Sequence, residues 1–186
     1  MLYWGATGIM FDGSNLPYEE NVNQTKHFAD ICNVLGIGCE GELGHIGTVN
    51  DDSMDEFTEP EAAAEFVEKT GVYALAVLIG NAHGRYKKPP KLDIDRVEAI
   101  RKSTNGTALV LHGGSGIPDD QIKAAIKAGI RKINIATDVC YTFLDAVNEE
   151  YHNPNKSVAV DNFMKKPIEA VKEFALTKIA LTGSHM

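Results

Sequence analysis

The sequence predicts an α/β fold in which parallel strands alternate with helices and their ends form the mouth of a (β/α) barrel. Apolar runs of strand length alternate with amphipathic segments of helix length along the whole 186 residues. The runs are continuous, as in Ala74-Leu75-Ala76-Val77-Leu78-Ile79, which is the pattern of strands covered on both faces. Residues capable of chemistry stand at the strand ends: His83 after the third, His112 after the fourth, Asn134 and Thr137 at the end of the fifth. They converge only if the strands are parallel neighbours whose following loops open on one face.

Each element has its own signal. Residues 8–12 form a short buried strand, closed by the loop Gly13-Ser14-Asn15-Leu16-Pro17. Over residues 18–35, Val22, Phe28, Ile31, Cys32 and Leu35 recur at helical spacing, and Gly36 supplies the stop. Residues 37–43 are the second strand, with Glu42 and Gly44 at its end. The polar, acidic segment 48–56 reads as a loop. Thr58-Glu59-Pro60-Glu61 has the pattern of a capping box with proline in the first turn, and Ala62, Phe66 and Val67 give that helix a buried face before Gly71 ends it. Residues 74–80 are the third strand, and the loop after them carries His83 and Tyr86. A helix over about 95–102 precedes the fourth strand, 108–111. Ile122, Ala125 and Ile126 mark the next helix, ended by Gly129. Residues 132–136 are the fifth strand. Helices over 138–148 and 164–181 follow, separated by the break Asn153-Pro154-Asn155.

Bulk properties narrow the function classes. The formal charge of −8 comes from scattered acidic residues, with no basic stripe, so nucleic acid is not an expected partner. No apolar run approaches the roughly 18 residues of a membrane span, and the first residues lack the regions of a signal peptide, so a soluble, cytoplasmic protein is expected. Cys32, Cys39 and Cys140 are isolated and odd in number, which suits a reducing compartment and core filling.

The strand ends suggest the chemistry. His83 and His112 both sit beside glycine on a common face, and two imidazoles suit Zn²⁺, although a catalytic zinc site has three protein ligands and an open position. His27, His45, His152 and His185 are not placed to supply the third. Gly113-Gly114-Ser115 and Ala136-Thr137 offer backbone amides and hydroxyls for a phosphate, where the alternative is tight turns alone. Asp12, Glu42 and Asp138 are carboxylates at strand ends. Each could orient a ligand histidine, hold a further, monovalent, cation, or cap the following helix.

The motifs Met10-Phe11-Asp12-Gly13-Ser14, Glu42-Leu43-Gly44, Ala82-His83-Gly84, Leu111-His112-Gly113-Gly114-Ser115 and Asn134-Ile135-Ala136-Thr137 resemble, in order and spacing, those of class II, zinc-dependent ketose-bisphosphate aldolases. The resemblance implies a TIM barrel, with this chain covering about strands 4 to 8 and residues 1–182 forming the C-terminal part of one aldolase-type barrel. Residues 183–186 read as a tag-like tail. It also implies reversible cleavage of fructose or tagatose 1,6-bisphosphate to dihydroxyacetone phosphate and glyceraldehyde 3-phosphate, a reaction of glycolysis and carbohydrate metabolism. His83 and His112 would be two of three zinc ligands, with Glu42 and Asp12 as further candidates for metal. Gly84, Gly113, Gly114, Ser115, Ala136 and Thr137 would surround the phosphate, and Asn134 would touch the enediolate.

Two departures from the family pattern shape the expectation. The family's His-x-Asp-His motif is not in the sequence, so a segment or chain supplying strands 1 to 3 is expected to complete the site. Where the family's acidic loop presents a glutamate, Asn50 stands, and an amide cannot exchange protons near neutral pH; Asp51 beside it becomes the candidate acid. Open strand edges predict a homo-oligomer. The alternative to an enzyme is a non-catalytic fragment or binding module keeping a phosphate and metal half-site.

Overall fold

The computed structural model describes residues 5–48, 57–84, 86 and 88–184, and the chain divides into two compact units, Met1–Asn134 and Ile135–Met186. The first unit is one five-stranded sheet: β1 (Gly8–Met10), β2 (Gly38–Leu43), β3 (Ala74–Val77), β4 (Ala108–Leu111) and β5 (Ile130–Ile133). The strands lie in chain order and every pairing is parallel. Each strand is joined to the next by a helix: α1 (Tyr18–Leu35), α2 (Pro60–Thr70), α3 (Ile94–Ser103) and α4 (Asp119–Ala128). The strand–helix alternation read from the sequence is therefore the alternation observed.

The two faces of the sheet differ in side-chain size. Leu75, Val77, Leu109 and Leu111 are fully buried, and on the same side of β2 the backbone of Gly41 approaches Thr25 of α1 and Phe66 of α2. A Cβ at Gly41 would stand 3.0 Å from Thr25 and 3.1 Å from Phe66, so the close seating of both helices needs glycine there. The opposite face carries Glu40, Glu42, Ala74, Ala76, Ala108, Val110 and Lys132, brought level by the strand registers. Small residues predominate on it, and a cavity of about 740 Å³ is lined there by Gly8, Glu40, Ala74, Ala108, Val110 and Lys132 among others.

Helix ends largely follow the sequence signals. Gly36 and Gly71 end α1 and α2 in the left-handed conformation, at φ 68° and 67°. Asp93 caps α3 by accepting the Arg96 N–H at 3.0 Å. The capping box expected at Thr58 is not formed, because α2 begins at Pro60 after Glu59, whose side chain makes no cap bond. The Thr58 hydroxyl works elsewhere. It donates to the Leu43 carbonyl (2.7 Å) and accepts the Leu78 N–H (2.8 Å), while its own N–H donates to the Leu78 carbonyl (2.9 Å). Thr58 therefore laces the ends of β2 and β3 together. The fifth strand also starts earlier than expected, at Ile130 rather than 132, because Gly129 ends α4 and turns the chain straight into the sheet.

The second unit contains α5 (Thr137–His152), α6 (Val160–Phe163) and α7 (Lys165–Thr182), with α5 packed on α7. Glu150, nearly buried, pairs with Lys166 and accepts from Asn153. The fifth helix runs beyond the expected 148 to His152. Among the described residues, no helix is long and apolar enough to cross a membrane.

Thr58→Val keeps the side-chain shape but strips the partner from two backbone groups, one of them buried. Each such loss costs about 1–3 kcal/mol, so the variant is expected to lose at least that much stability in urea denaturation. An unchanged midpoint would show that the hydroxyl does not hold the strand ends.

Candidate active site

Two glutamates of β2 flank one histidine at the carboxyl end of β4. His112, just beyond β4, is 4% exposed, and it is flanked by Glu40 (7%) and Glu42 (2%) from β2. Its Nε2 lies 2.9 Å from Glu40 Oε1 and its Nδ1 lies 3.1 Å from Glu42 Oε2. The two glutamates are two residues apart on one strand, so both point to the same face. The other Glu40 oxygen accepts from Lys132 Nζ on β5 at 2.9 Å, and the other Glu42 oxygen accepts the Ile46 N–H at 3.3 Å. Each carboxylate oxygen thus has a donor.

Burial alone would push the His112 imidazole towards its neutral form. The hydrogen bonds and charges of Glu40 and Glu42 outweigh that and raise its pKa to about 9. Glu40 is desolvated too, yet its bonds to His112 and Lys132 hold its carboxyl below the usual range.

His83 follows β3 and is exposed, its ring 5.8 Å centroid to centroid from that of His112 and tilted by 50°. Its N–H donates to the Gly47 carbonyl at 2.9 Å, and Thr48 forms a parallel bridge with it, so the chain after β2 is stitched to the chain after β3. Asn81 fixes the turn before it. The Asn81 Oδ1 accepts the Ile79 N–H (2.9 Å) and its Nδ2 donates to the His112 carbonyl (3.1 Å). Tyr86 adds a second tie: its hydroxyl accepts the Ala82 N–H at 2.7 Å and lies 2.9 Å from the Ala82 and 3.2 Å from the Gly113 carbonyl.

The glycine-rich turn after His112 is crowded. Gly113 has φ 61°, and a Cβ there would stand 2.1 Å from the Ala82 carbonyl oxygen. The Gly114 N–H donates to the Asn134 carbonyl (2.9 Å), and the Asn134 N–H donates to the Leu111 carbonyl (2.9 Å). Gly114 could therefore serve a phosphate by close approach, its amide being committed. Ser115 is buried, and Gly84 sits at φ 110°. Ala136 and Thr137 belong to the second unit, where Thr137 opens α5. Asp138 stands in the first turn of that helix, whose cap position is Ala136.

Asp12 lies exposed after β1 and accepts from Ser14, at 3.0 Å from the N–H and 2.7 Å from the hydroxyl. Because the Ser14 hydrogen goes to a carboxylate, its oxygen can only accept from His45 Nδ1, 3.3 Å away. This fixes His45, when neutral, with its proton on Nδ1. Asn50 and Asp51 lie outside the described residues. Among the described residues, no three His, Cys, Asp or Glu side chains stand together in an arrangement that would hold a metal ion. Glu42 is in contact with His112, and the His83 ring lies beside that of His112. The donors themselves, imidazole and carboxylate, are of the kind zinc takes.

Sequence reasoning passed over Glu40, Lys132, Asn21 and Asn81. Glu40 was signalled by the pattern Glu40-Gly41-Glu42, two acids on one face of a buried strand. Asn21 donates to the Glu42 carbonyl at 2.9 Å from inside α1, a tie with no sequence signature.

Comparison with known proteins bears on this geometry. The family model for class II fructose-bisphosphate aldolase matches residues 1–186. The uncharacterized protein YdjI of Escherichia coli K12 is 44% identical over 184 residues, spanning 97% of this chain and 64% of YdjI. The crystal structure of the YdjI aldolase superposes with a TM-score of 0.84 at 42% identity, over 98% of this chain and 63% of that one. A fructose-1,6-bisphosphate aldolase candidate from Coccidioides immitis gives a TM-score of 0.84 at 26% identity, over 95% of this chain and 63% of that one. The chain thus spans a little under two thirds of the length of the relatives it matches.

Gly113→Ala would combine left-handed backbone strain with a clash against a carbonyl, together about 2–5 kcal/mol. The expected result is a loss of that order in chemical denaturation. Wild-type stability in the alanine variant would mean that the turn has more room than the Ala82 contact implies.

Proposed function

Because the chain belongs to the class II fructose-bisphosphate aldolase family, we propose that the whole protein carries out reversible, zinc-dependent aldol cleavage of fructose or tagatose 1,6-bisphosphate. The products are dihydroxyacetone phosphate and glyceraldehyde 3-phosphate. One observation carries the reading: a buried histidine held between two buried glutamates, with a second histidine 5.8 Å away across adjacent parallel strand ends.

His83 and His112 would hold the metal, with Glu42, 3.1 Å from His112 Nδ1, as a further candidate. Bound there, zinc supplies Lewis-acid polarisation of the ketone and the neighbouring hydroxyl. The remaining work falls to the chain. Gly84, Gly113, Gly114 and Ser115 receive the phosphate at the turns that follow β3 and β4. Asn134 hydrogen-bonds the enediolate oxygen. Asp51, for which Asn50 is no substitute, moves the proton at the nucleophilic carbon.

Residues 1–182 on this reading are the C-terminal part of one barrel. Among the described residues, β1 and β5 each pair on one side only, which leaves both edges open to strands from a further segment or chain. That partner would also bring the third metal ligand.

The test uses a preparation containing the complete barrel. Zinc near one per site is expected, and His83→Ala or His112→Ala should abolish it; a double variant that still binds zinc stoichiometrically would remove these ligands. Proton transfer is checked separately. General acid–base help is worth roughly 10²–10⁴ in rate, so Asp51→Ala should slow exchange of the carbon-bound proton of dihydroxyacetone phosphate by at least the lower figure, followed by NMR in deuterated water. Zinc content should not change, and Asn50→Glu should restore or raise exchange. Equal exchange in the wild type and Asp51→Ala would take Asp51 out of the mechanism.

A further inference from the structure

Glu40 reaches across the sheet in an unusual way. It stands on β2, yet its oxygens contact His112 beyond β4 and Lys132 on β5, passing over β3 entirely. The reach is possible because β3 offers only Ala74 and Ala76 on that face. A buried carboxylate with both oxygens engaged and its backbone in a strand has little freedom to move. Lys132, half exposed, brings a flexible cation to it from the far strand, on the same face as Val110.

The two nitrogens of His112 are not equivalent. Nε2 faces Glu40, which is anchored on its far side by the Lys132 side chain. Nδ1 faces Glu42, whose far oxygen accepts, among the described residues, from the Ile46 N–H at 3.3 Å, the longest contact in the cluster. A ligand histidine commonly donates its other ring N–H to a carboxylate, which fixes both ring orientation and tautomer. Of the two carboxylates, the one paired with a cation at 2.9 Å suits that supporting place, and the one held by the longer backbone contact suits a place beside the ion.

Resting on the metal reading above, we infer that Lys132 and Glu40 are a positioning pair for His112: Lys132 fixes Glu40, Glu40 receives the Nε2–H, and Nδ1 is the nitrogen presented to the metal. Neither residue touches substrate. Lys132 acts on His112 through Glu40, so its removal changes how well the ring is held for the ion rather than which groups bind it.

The experiment measures zinc affinity by chelator competition on the complete protein, with thermal melting of each variant as a fold control. Lys132→Met should weaken zinc binding by about 10–100-fold, the range found when such supporting partners are lost. Lys132→Arg, which keeps the charge, should recover most of it. Glu40→Gln should fall in the same range, and the double variant Glu40→Gln/Lys132→Met should be no weaker than Glu40→Gln alone, since both changes break one pathway. Nitrogen-15 NMR of the zinc-loaded protein should find the His112 proton on Nε2. Wild-type zinc affinity in a folded Lys132→Met protein overturns this inference alone, as does a His112 proton on Nδ1. A wild-type protein that binds no zinc overturns the metal reading with it.

Discussion

The lodging of two carboxylates against one buried histidine is the constraint around which the sheet unit is built. Removing an ion from water costs several kcal/mol even in a relaxed protein interior, and the attraction between partners offsets that only when the remaining hydrogen-bonding capacity is also met. Here it is met oxygen by oxygen. Glu40 uses its two oxygens on His112 and Lys132, and Glu42 uses its own on His112 and the Ile46 N–H. The small side chains of Ala74, Ala76 and Ala108 follow from the same requirement, since larger ones would fill the space through which Glu40 extends.

Around this cluster the backbone is held by residues that have no part in chemistry. Asn21 ties α1 to the end of β2, Thr58 ties β2 to β3, and Asn81 and Tyr86 tie the chain after β3 to that after β4. The bonds are mostly buried, and all but that of Asn21 join neighbouring strand ends. They replace, beyond the last ladder bonds, the pairing that the sheet itself no longer provides. Gly113 completes the arrangement by letting its own backbone press against that of Ala82.

Much of this was legible in the sequence because the fold is written in periodicity. The runs from Ala74 and Ala108, the helix from Tyr18 to Leu35, and its stop at Gly36 are local signals, and each was recovered in place or within a few residues. His83 and His112 could be paired in advance because parallel strands put their following loops on one face. The rest depends on three-dimensional neighbours. Thr58 has the local pattern of a cap, but the carbonyl of Leu43 and the amide of Leu78 compete for its hydroxyl, and those are brought near only by the sheet. Lys132 reads as an exposed strand residue until Glu40 is found three strands away. The early start of β5 reflects Gly129, which feeds the strand directly instead of leaving a connecting turn.

The contacts of Glu40 run at right angles to the strands, and this has a consequence for how the sheet comes apart. Backbone ladders hold each strand to its neighbours, so a sheet held by ladders alone can fray one strand at a time from an edge. A side chain spanning β2 to β5 removes that option: detaching β5 strips a cation from a buried carboxylate, and detaching β4 takes His112 from both of its acids. The strands β2 to β5 are thereby made into a single unit of opening, and their amides are expected to share one protection free energy in native-state hydrogen exchange rather than a gradient falling towards the edge.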